Sequence, residues 1–548
     1  MVITAEQEKK YEESVTLREV AADYQHLYKY KIVAAKLNNG VRDLQTPVGK
    51  YRQIEFIDAG SEMGNRIYRR SVVFLLIIAV HELYPEAEVI VRFTANRGLY
   101  CDIFMKPELN AEIVENIEAH MRAVVTEKRP ILKKSLRKED AVRLFKESQQ
   151  IEKANLISAL KKEKVSIYYC GEFYDYLYGA MLGNTGDIDK FALDYYAPGI
   201  LIRIPEKENP EIVPKLVRQI KFTHVLAEAK KWAEILHCDY VPDLNRHNRL
   251  GDIGDIIRIS EALHEKKIAE IADHIAKHQD ELRLVLIAGP SSSGKTSFAQ
   301  RLRIQLRVNG LEPISISLDD YFLDRADTPK NEKGEYDFEA IEALDLKLFN
   351  ENLVDLLKGK EVILPKYSFT RGVRDWSKGT HRSVSPIQPI IIEGIHGLNE
   401  KLTAAIPRNK KFKIYISALT QLNIDAHNRI STTDARLIRR MVRDYQFRGS
   451  SALKTLRQWP DVRAGEEKNI FPFQEEADVM FNSALIYELS VLKKYVKPLL
   501  EKISSDEPEY AIALRLLDFC QYFDDCYAEE DIPNNSILRE FIGKSCFF

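Results

Sequence analysis

The sequence predicts a multidomain protein that is α+β in its N-terminal half and α/β in its C-terminal half. The chain has 548 residues, which is too long for one ordinary hydrophobic core. From residue 282 onward, apolar runs alternate with helical patterns, as in a parallel sheet flanked by helices. Residues 289–296 read Gly-Pro-Ser-Ser-Ser-Gly-Lys-Thr and directly follow the apolar run 284–288. A glycine-rich loop between a strand and a helix predicts a P-loop NTPase fold with a parallel sheet.

The N-terminal half divides into two predicted units. Residues 1–63 predict a small α+β module, with a helix at 16–23, strands at 31–37 and 54–57, and a turn at Asn38-Asn39-Gly40. Residues 64–240 predict a second α+β domain. Its patterns are, in chain order, a buried helix at 68–83, strands at 88–92 and 99–103, and aromatic-rich segments at 168–178 and 193–204.

The second half begins with a connecting region and ends with a tail. Residues 241–280 predict a polar linker, 243–254, followed by a connecting helix at 256–278. Residues 281–505 form the predicted P-loop domain, and residues 506–548 a tail that is helical as far as residue 522. The strands predicted for the P-loop domain are 282–288, 314–318, 389–393 and 412–417.

Composition narrows the cellular context. The formal net charge is −2, which does not favour a nucleic-acid or membrane surface. The six cysteines are scattered without a Cys-x-x-Cys spacing, so we expect reduced thiols and no disulfide framework. The start, 1–13, is polar and charged, and the most apolar stretch, 71–80, is too short to cross a bilayer. We therefore expect a cytoplasmic protein without a membrane segment, and a homo-oligomer stays open.

The P-loop pattern predicts a nucleoside triphosphate site. Its glycines allow a tight turn that aims backbone N–H groups at phosphate oxygens, and the following helix, 295–308, adds its positive N-terminal end. Lys295 is expected to reach the β- and γ-phosphates and Thr296 to hold Mg²⁺. The expected nucleotide-binding residues are Gly289, Pro290, Ser291, Ser292, Ser293, Gly294, Lys295, Thr296 and Ser297.

Two strands of this half end in acidic residues. Strand 314–318 is followed by Asp319-Asp320, beside the expected phosphate site, where a carboxylate can accept the proton of an attacking hydroxyl. The alternative is that either aspartate caps the next segment. Strand 389–393 ends in Glu393, an acid placed to hold Mg²⁺ or its water shell. The alternative there is a surface acid at a strand end.

An arginine-rich helix follows. Arg436, Arg439, Arg440 and Arg443 are spaced at three and four residues, so they crowd one helical face. Like charges on one face are unfavourable unless an anion lies opposite, and transferring phosphates are such an anion. The alternative is a solvated basic face. Beside a phosphate loop, we interpret this helix as an arginine lid.

At this point residues 282–482 resemble the uridine/cytidine kinase branch of the phosphoribulokinase–uridine kinase superfamily. The matching pieces occur in the family's order. They are the loop 289–296, Asp319-Asp320-Tyr321-Phe322, Tyr336-Asp337-Phe338 ahead of Asp345, 365–374, Ile392-Glu393-Gly394-Ile395, the arginine helix with Arg448-Gly449, and Ala477-Asp478-Val479.

The resemblance implies roles for individual residues. Asp319 would be the general base for a nucleoside 5′-hydroxyl, and Asp337 would bind ribose hydroxyls beside Tyr336. Tyr367 would line the base pocket. Lys295, Arg440 and Arg443 would act on the transferring phosphoryl group, with Arg440 also near the ribose. Arg448 would contact the nucleotide phosphates, and Thr296 and Glu393 would serve Mg²⁺.

Two positions depart from that pattern. Gly372 stands where pyrimidine nucleoside kinases carry a base-reading histidine, and Ser450 stands in place of the second lid arginine. A pocket without its hydrogen-bonding reader discriminates less strongly between acceptors. The departure at Gly372 bears on which acceptor the protein uses.

The N-terminal half resembles a different family. Residues 1–63 are similar to the ubiquitin-like (TGS-like) module of threonyl-tRNA synthetases, and 64–240 to the editing-type domain after it, on 79–85, 97–102 and Gly186-Asp187-Ile188 with Phe191. The metal-ligand positions of that domain fall here on Arg70, Phe74, Leu177 and Met181. None of these side chains is a usual zinc ligand, so we expect a degenerate domain whose scaffold is retained.

The sequence thus predicts an ATP- and Mg²⁺-dependent nucleoside kinase with a uridine- or cytidine-like acceptor. The combination of the two halves, ending in residues 533–543, resembles bacterial uridine kinase-like nucleoside kinases. One alternative is a kinase for another small alcohol of the superfamily, which a substrate panel would distinguish. The other is an ATP-gated RNA-binding or regulatory protein, in which the N-terminal half binds nucleic acid. Salt-dependent tRNA binding would support that second alternative.

Overall fold

The computed structural model describes residues 2–4, 7–9, 11–49, 53–95, 97–217, 219–330, 334, 336–368 and 370–548, with backbone alone for 2–4, 7–9 and 95. Phe369, within the predicted 365–374 match, lies outside the described residues. The structure has mixed α/β layers with antiparallel sheets in the N-terminal half and a parallel sheet in the C-terminal half. This is the predicted fold class.

The first module pairs one helix with a small antiparallel sheet. Its helix starts after Thr16, whose side chain and Glu19 form a reciprocal capping box. Strands β3, β4 and β5 form a sheet in the order β4-β3-β5, and β1 pairs with β2. The elements are β1 (Val2–Thr4), β2 (Gln7–Lys9), α1 (Leu17–Tyr24), β3 (Ile32–Leu37), β4 (Gly40–Arg42) and β5 (Ile54–Asp58).

The second region wraps two antiparallel sheets around a buried helix. The sheet orders are β11-β12-β7-β6 and β10-β9-β8. Helix α2 begins earlier than predicted, because Ser61 caps a polar first turn that precedes its apolar stretch. The elements are α2 (Glu62–Leu83), β6 (Glu88–Ala95), β7 (Gly98–Phe104), α3 (Ala111–Glu127), β8 (Leu132–Arg137), α4 (Lys138–Glu147), α5 (Ile151–Ala159), β9 (Lys164–Cys170), β10 (Phe173–Asp175), β11 (Ala192–Tyr196) and β12 (Gly199–Arg203).

Three helices connect the halves, α6 (Ile220–Ile235), α7 (Val241–Leu250) and α8 (Ile253–Lys277). The prediction of a linker at 243–254 was wrong for most of that segment, because α7 is helical there. Pro242 lies in its first turn and Gly251 ends it in the left-handed conformation at φ 80°. The segment reads as polar because only a narrow face, which includes Val241 and Leu244, is buried.

The C-terminal half is built on a parallel five-stranded sheet in the order β14-β19-β13-β20-β21. Four of these strands were predicted, and the edge strand β21 was missed. The elements up to residue 500 are β13 (Leu284–Ala288), α9 (Lys295–Val308), β14 (Ile314–Ser317), α10 (Leu346–Leu357), β15 (Val362–Leu364), β16 (Tyr367–Ser368), β17 (Val373–Arg374), β18 (Thr380–Arg382), β19 (Ile390–Glu393), β20 (Lys411–Ser417), α11 (Thr432–Arg448), α12 (Ala452–Asn469), β21 (Val479–Asn482) and α13 (Glu488–Leu500).

The C-terminal tail contains α14 (Tyr510–Cys520) and α15 (Arg539–Ile542) and packs onto the sheet domain. Ile537, Leu538 and Phe541 are fully buried in the same hydrophobic cluster as residues of α9 and α11. The tail is therefore part of this core. Within the described ranges, no helix is both long and apolar enough to span a bilayer.

Candidate active site

The predicted loop and acids meet at one edge of the parallel sheet. Glu393 on β19 lies level with Ile287 of β13 on one side and with Ser317 of β14 on the other. The P-loop begins two residues after Ile287, and Asp319 follows Ser317 by two residues. The carboxyl ends of parallel strands share an edge, and this edge is where ligands bind in open α/β sheets.

The backbone of the P-loop requires its glycines. Gly294 has φ 82°, in the left-handed region that glycine tolerates, and it is the N-cap of α9. A Cβ on Gly289 would lie 2.1 Å from the carbonyl oxygen of Ile416. Lys295 Nζ donates to the carbonyl oxygens of Gly289 at 2.9 Å and Pro290 at 3.1 Å. The loop therefore curves tightly around the amino end of α9.

Asp319 and Asp320 have different surroundings. Asp320 accepts from Lys366 Nζ at 3.1 Å and from the Tyr367 backbone N at 3.2 Å, so it anchors the start of β16. No hydrogen bond ties the Asp319 carboxylate to the described residues, and neither aspartate caps a helix. Solvent reaches Asp319, yet the crowded cleft removes much of its hydration and raises its pKa, while Lys295 opposes that rise.

Glu393 is the second carboxyl at this edge. Burial, reinforced by the nearby charge of Asp319, raises the pKa of Glu393 to about 7, against the opposing charge of Lys295. Its Oε1 accepts from Ser317 Oγ at 3.3 Å. Burial also lowers the pKa of Lys295, whose charge Glu393 and Asp319 in turn favour. Two carboxyls and one amine are thus electrostatically coupled beside the loop.

The predicted Mg²⁺ ligands fit this chemistry. Mg²⁺ prefers hard oxygen ligands and is commonly held by one or two carboxylates together with phosphate oxygens and water. Thr296 supplies a hydroxyl at the start of α9, and Glu393 supplies a carboxylate that its neighbour Asp319 destabilises in the charged form. A divalent cation would relieve that repulsion. Among the described residues, no group of three or more His, Cys, Asp or Glu side chains forms a metal cluster.

The arginines of α11 fall into an internally paired group of two and a second group of three. Arg436 and Arg439 are 2% and 0% exposed and pair with Glu466 and Glu488 respectively. For these two arginines, the anion opposite the helix face is therefore a carboxylate of the protein itself. They hold the helix on the loop, because Arg436 Nε donates to the Ser291 carbonyl oxygen at 3.0 Å.

Arg440, Arg443 and Arg448 are the arginines that face the site. Arg440 Nη1 donates to Ser291 Oγ at 2.8 Å. All three gather around Asp444, with N···O distances of 3.2, 3.0 and 3.6 Å in that order. The pKa of Asp319 responds to the charges of Arg448 and Arg443, which places them near the predicted base.

The predicted acceptor residues lie on two neighbouring segments. Asp337 Oδ1 accepts from the Glu339 backbone N at 3.1 Å in a local turn. Tyr336 is 41% exposed, and its ring lies 6.2 Å from that of Phe338. Tyr367 is buried, with its ring 5.7 Å from that of Phe322.

Gly372 has φ 69°, a conformation that favours glycine. A Cβ at this position would meet Arg325 Nε at 2.9 Å. The space beside Gly372, where the family pattern places a histidine side chain, therefore holds an arginine of a different segment.

Three glutamates that the sequence analysis did not identify also belong to this site. Glu466 accepts from the Ser291 backbone N at 2.9 Å. Glu540 of the tail accepts from Ser297 Oγ at 2.7 Å and Ser297 N at 3.3 Å. Burial and the charge of Glu466 raise the pKa of Glu339 to about 7, while Arg440 and Lys295 oppose that rise. Glu466 and Glu540 contact the loop, and the charges of Arg440 and Lys295 act on Glu339, across long sequence separations that no local pattern predicts.

The four former metal-ligand positions of the N-terminal half are packed side chains. Phe74, Leu177 and Met181 are buried in one hydrophobic cluster. Arg70 Nη1 donates to the Ala180 carbonyl oxygen at 2.5 Å and lies against Gly179. Three of the four positions are therefore part of the hydrophobic core of the domain, and Arg70 is partly buried.

Comparisons with known proteins agree with both resemblances. Residues 284–489 match the family described as Phosphoribulokinase / Uridine kinase family. The N-terminal region matches threonine–tRNA ligases of Bacillus velezensis and Bacillus subtilis, each 33% identical over 186 residues. That alignment covers 34% of this chain and 29% of each ligase. The chain thus spans less than a third of the length of these curated relatives.

Solved structures were also compared. A possible uridine kinase from Bacillus stearothermophilus is 19% identical, covering 39% of this chain and 100% of that chain with a TM-score of 0.26. D-glycerate 3-kinase from Cryptococcus neoformans var. grubii is 15% identical, covering 49% of this chain and 89% of that chain with a TM-score of 0.22. The family match covers residues 284–489, which is less than half of the chain.

Proposed function

We propose that this protein is an ATP-dependent kinase that phosphorylates the 5′-hydroxyl of a nucleoside, with a uridine- or cytidine-like acceptor. One observation carries the proposal. Lys295, Asp319 and Glu393 converge at the carboxyl edge of a parallel sheet, within the segment that matches the phosphoribulokinase/uridine kinase family. An amine, a base and a metal-binding acid around a phosphate loop are the parts that phosphoryl transfer requires.

The reaction would use these residues in fixed roles. The backbone N–H groups of the loop, Lys295 and the arginines Arg440 and Arg443 bind and orient the triphosphate. Asp319 accepts the proton of the acceptor hydroxyl, whose oxygen then bonds to the γ-phosphorus while the bond to the β-phosphate oxygen breaks and ADP leaves. A raised pKa makes Asp319 a stronger base than an ordinary aspartate.

Thr296 and Glu393 would hold Mg²⁺, which supplies charge neutralisation at the phosphates when it is bound. Because the pKa of Glu393 is about 7, raising the pH through neutrality deprotonates this carboxyl and favours cation binding. Asp319, Arg443 and Arg448 form the surface that faces the acceptor and the transferring group. Asp337 and Tyr367 are proposed to bind the acceptor itself.

A kinase for a different small alcohol is the second candidate. Arg325 lies against Gly372 in the space where the family pattern places a base-reading histidine. A guanidinium recognises carboxylate or phosphate groups better than it recognises a neutral pyrimidine. An acceptor that carries an anionic group would suit a site beside Arg325.

The test is ADP release with Mg-ATP over a panel of nucleosides and anionic alcohols, with Lys295→Ala as the blank. We expect turnover with one or a few acceptors, lost in the blank. Asp319→Asn should lower kcat by about 10²–10⁴-fold and leave ATP binding intact, because it removes only the base. Retained activity in that variant would remove Asp319 from the mechanism. ATP binding without turnover on any acceptor would instead favour an ATP-gated binding role.

A further inference from the structure

The segment that links β20 to α11, residues 418–431, packs against the N-terminal half. Strand β6 is an edge strand, so part of its backbone has no neighbouring strand. Val91 N donates to the Ala426 carbonyl oxygen at 2.8 Å, and Asn423 Nδ2 donates to the Val91 carbonyl oxygen at 2.8 Å. The register of β6 with β7 shifts at this point, between Val91 and Phe93. The linking segment thus forms hydrogen bonds with the edge strand of the N-terminal sheet.

The same segment is also fixed by polar side chains. Asn428 Nδ2 donates to the Tyr176 carbonyl oxygen at 2.9 Å, and its Oδ1 accepts from Tyr178 N at 2.9 Å. His427 Nδ1 lies 2.6 Å from Asp175 Oδ2, and Asp175 also pairs with the buried Lys153. Although burial by itself would raise it, the charges of Lys153 and His427 lower the pKa of Asp175 to about 2. Buried charges of this kind are costly to separate.

The strongest link reaches the arginine helix itself. Asp434 lies in the first turn of α11 and is 7% exposed. It accepts two bonds from Arg66 of α2, at 2.9 and 3.0 Å, and two from Arg515 of α14, at 2.5 and 3.0 Å. Bidentate arginine–carboxylate pairs fix both distance and orientation. One carboxylate therefore ties the start of α11 to the N-terminal half and to the tail.

The same helix carries the arginines of the proposed phosphate site. Arg440 and Arg443 lie about two turns beyond Asp434, and Arg440 reaches Ser291 of the P-loop. A helix is stiff over this length, so the position of its first turn sets the position of these guanidinium groups. Displacing a catalytic group by about 1 Å can cost about 10²-fold in rate.

We propose that the synthetase-like half serves as a platform that positions the arginine lid, and that Arg66 and Asp434 are its positioning residues. The inference rests on the proposed phosphoryl transfer. It assigns to the N-terminal half a role in the kinase reaction that requires neither editing chemistry nor RNA. Among the described residues, neither Arg66 nor Asp434 bonds to Lys295, Asp319 or Glu393, so both act through α11.

The experiment compares Arg66→Gln, Arg66→Lys, Asp434→Asn and the Arg66→Gln/Asp434→Asn double variant. The control is Arg18→Gln, which breaks another ion pair of the N-terminal half, that of Arg18 with Asp187 at 2.6 Å, outside the contact with α11. We expect Arg66→Gln to lower kcat by about 10- to 100-fold with the ATP Kd within about twofold of wild type. Arg66→Lys should recover part of the lost kcat. The loss of kcat in the double variant should not exceed the combined losses of the two single variants.

Hydrogen exchange supplies a readout that is independent of turnover. Arg66→Gln should speed amide exchange in residues 432–448 and leave 295–308 unchanged, whereas Arg18→Gln should change neither. If Arg66→Gln speeds exchange uniformly across the C-terminal half, or has the same kcat as Arg18→Gln, the proposal that the N-terminal half positions the arginine helix is wrong. If the wild type turns over no acceptor, the proposed function fails. In that case the exchange pattern alone still shows whether the N-terminal half holds α11 in position.

Discussion

At the residue scale, Glu540 is the least expected member of the site. Its carboxylate accepts from the hydroxyl and backbone N of Ser297, at the amino end of α9. Helix N-termini bind anions, and the first turn of α9 is where a nucleotide phosphate is expected to bind. A carboxylate that occupies these donors competes with that phosphate. The pKa values of Lys295 and Glu393 both respond to its charge.

We therefore expect Glu540→Gln to strengthen ATP binding. Two unit charges about 4 Å apart repel by about 1 kcal/mol in water, which corresponds to about fivefold in Kd. The measurement is titration calorimetry with ATP, ADP and adenosine. The gain should be present for the two phosphorylated ligands and absent for adenosine.

The matched control for that titration is Glu530→Gln, an exposed tail glutamate that pairs with Lys544. It should bind ATP as the wild type does. Unchanged or weaker ATP binding by a folded Glu540→Gln protein would show that the carboxylate does not compete with phosphate.

At the scale of the element, α11 carries both internally paired arginines and the arginines proposed to act on the transferring phosphoryl group. Arg439 is fully buried, pairs with Glu488, and stacks on Phe541 at 5.0 Å. Arg443 is partly exposed and pairs with Asp444 beside the predicted base. Helical periodicity alone groups these arginines together, whereas their burial and ion-pair partners differ.

This division predicts different losses for two matched substitutions. Arg439→Gln should destabilise the protein by about 3–5 kcal/mol, because Glu488 is left buried without its partner. Arg443→Gln should lower kcat by about 10³-fold, since it removes charge stabilisation of the transferring phosphoryl group. Thermal unfolding and steady-state kinetics on both variants make the comparison. Equal changes in Tm, or full activity in Arg443→Gln, would contradict it.

At the scale of the whole molecule, charges buried between the halves make one folded unit of two unrelated sequence patterns. Lys153 and Asp175 come from the N-terminal half, and His427 from the C-terminal half. The two halves also share the ion pair of Lys162 with Asp518, which is exposed. Breaking a buried ion pair destabilises a protein more than breaking an exposed one.

Asp175→Asn should destabilise the chain by about 3–5 kcal/mol at neutral pH, because Lys153 is left buried without a counter-charge. The folded-state pKa of Asp175, about 2, is below its ordinary value near 4. The stability from its ionised form is thus present above about pH 4 and lost as the pH falls towards 2.

Denaturant unfolding of wild type and Asp175→Asn from pH 7 to pH 2 makes this measurement. The difference in the free energy of unfolding between the two proteins should decrease as the pH falls. Asp518→Asn is the control, because it crosses the same interface at the surface and should cost at most about 1 kcal/mol. A difference in the free energy of unfolding that stays constant down to pH 2 would show that Asp175 is not the ionised partner of Lys153.

Much of the fold followed from local patterns. The P-loop, the four predicted strands and the helix at 295–308 depend on periodicity and on residues a few positions apart, which the sequence states directly. The polar segment 243–254 was misjudged, because a helix with a narrow buried face has few apolar residues. The short edge strand β21 was missed, because four residues hold too little pattern to separate a strand from a loop.

The sequence by itself determined the kinase-type half, the synthetase-like half, and the candidate residues Lys295, Asp319 and Glu393. Only the tertiary structure decided which arginines of α11 are paired internally, that Glu540 reaches Ser297, and that Arg66 ties the N-terminal half to the arginine helix. The reason is physical. Motifs and periodicity record interactions between neighbours in the chain, whereas burial and charge pairing depend on contacts between residues hundreds of positions apart.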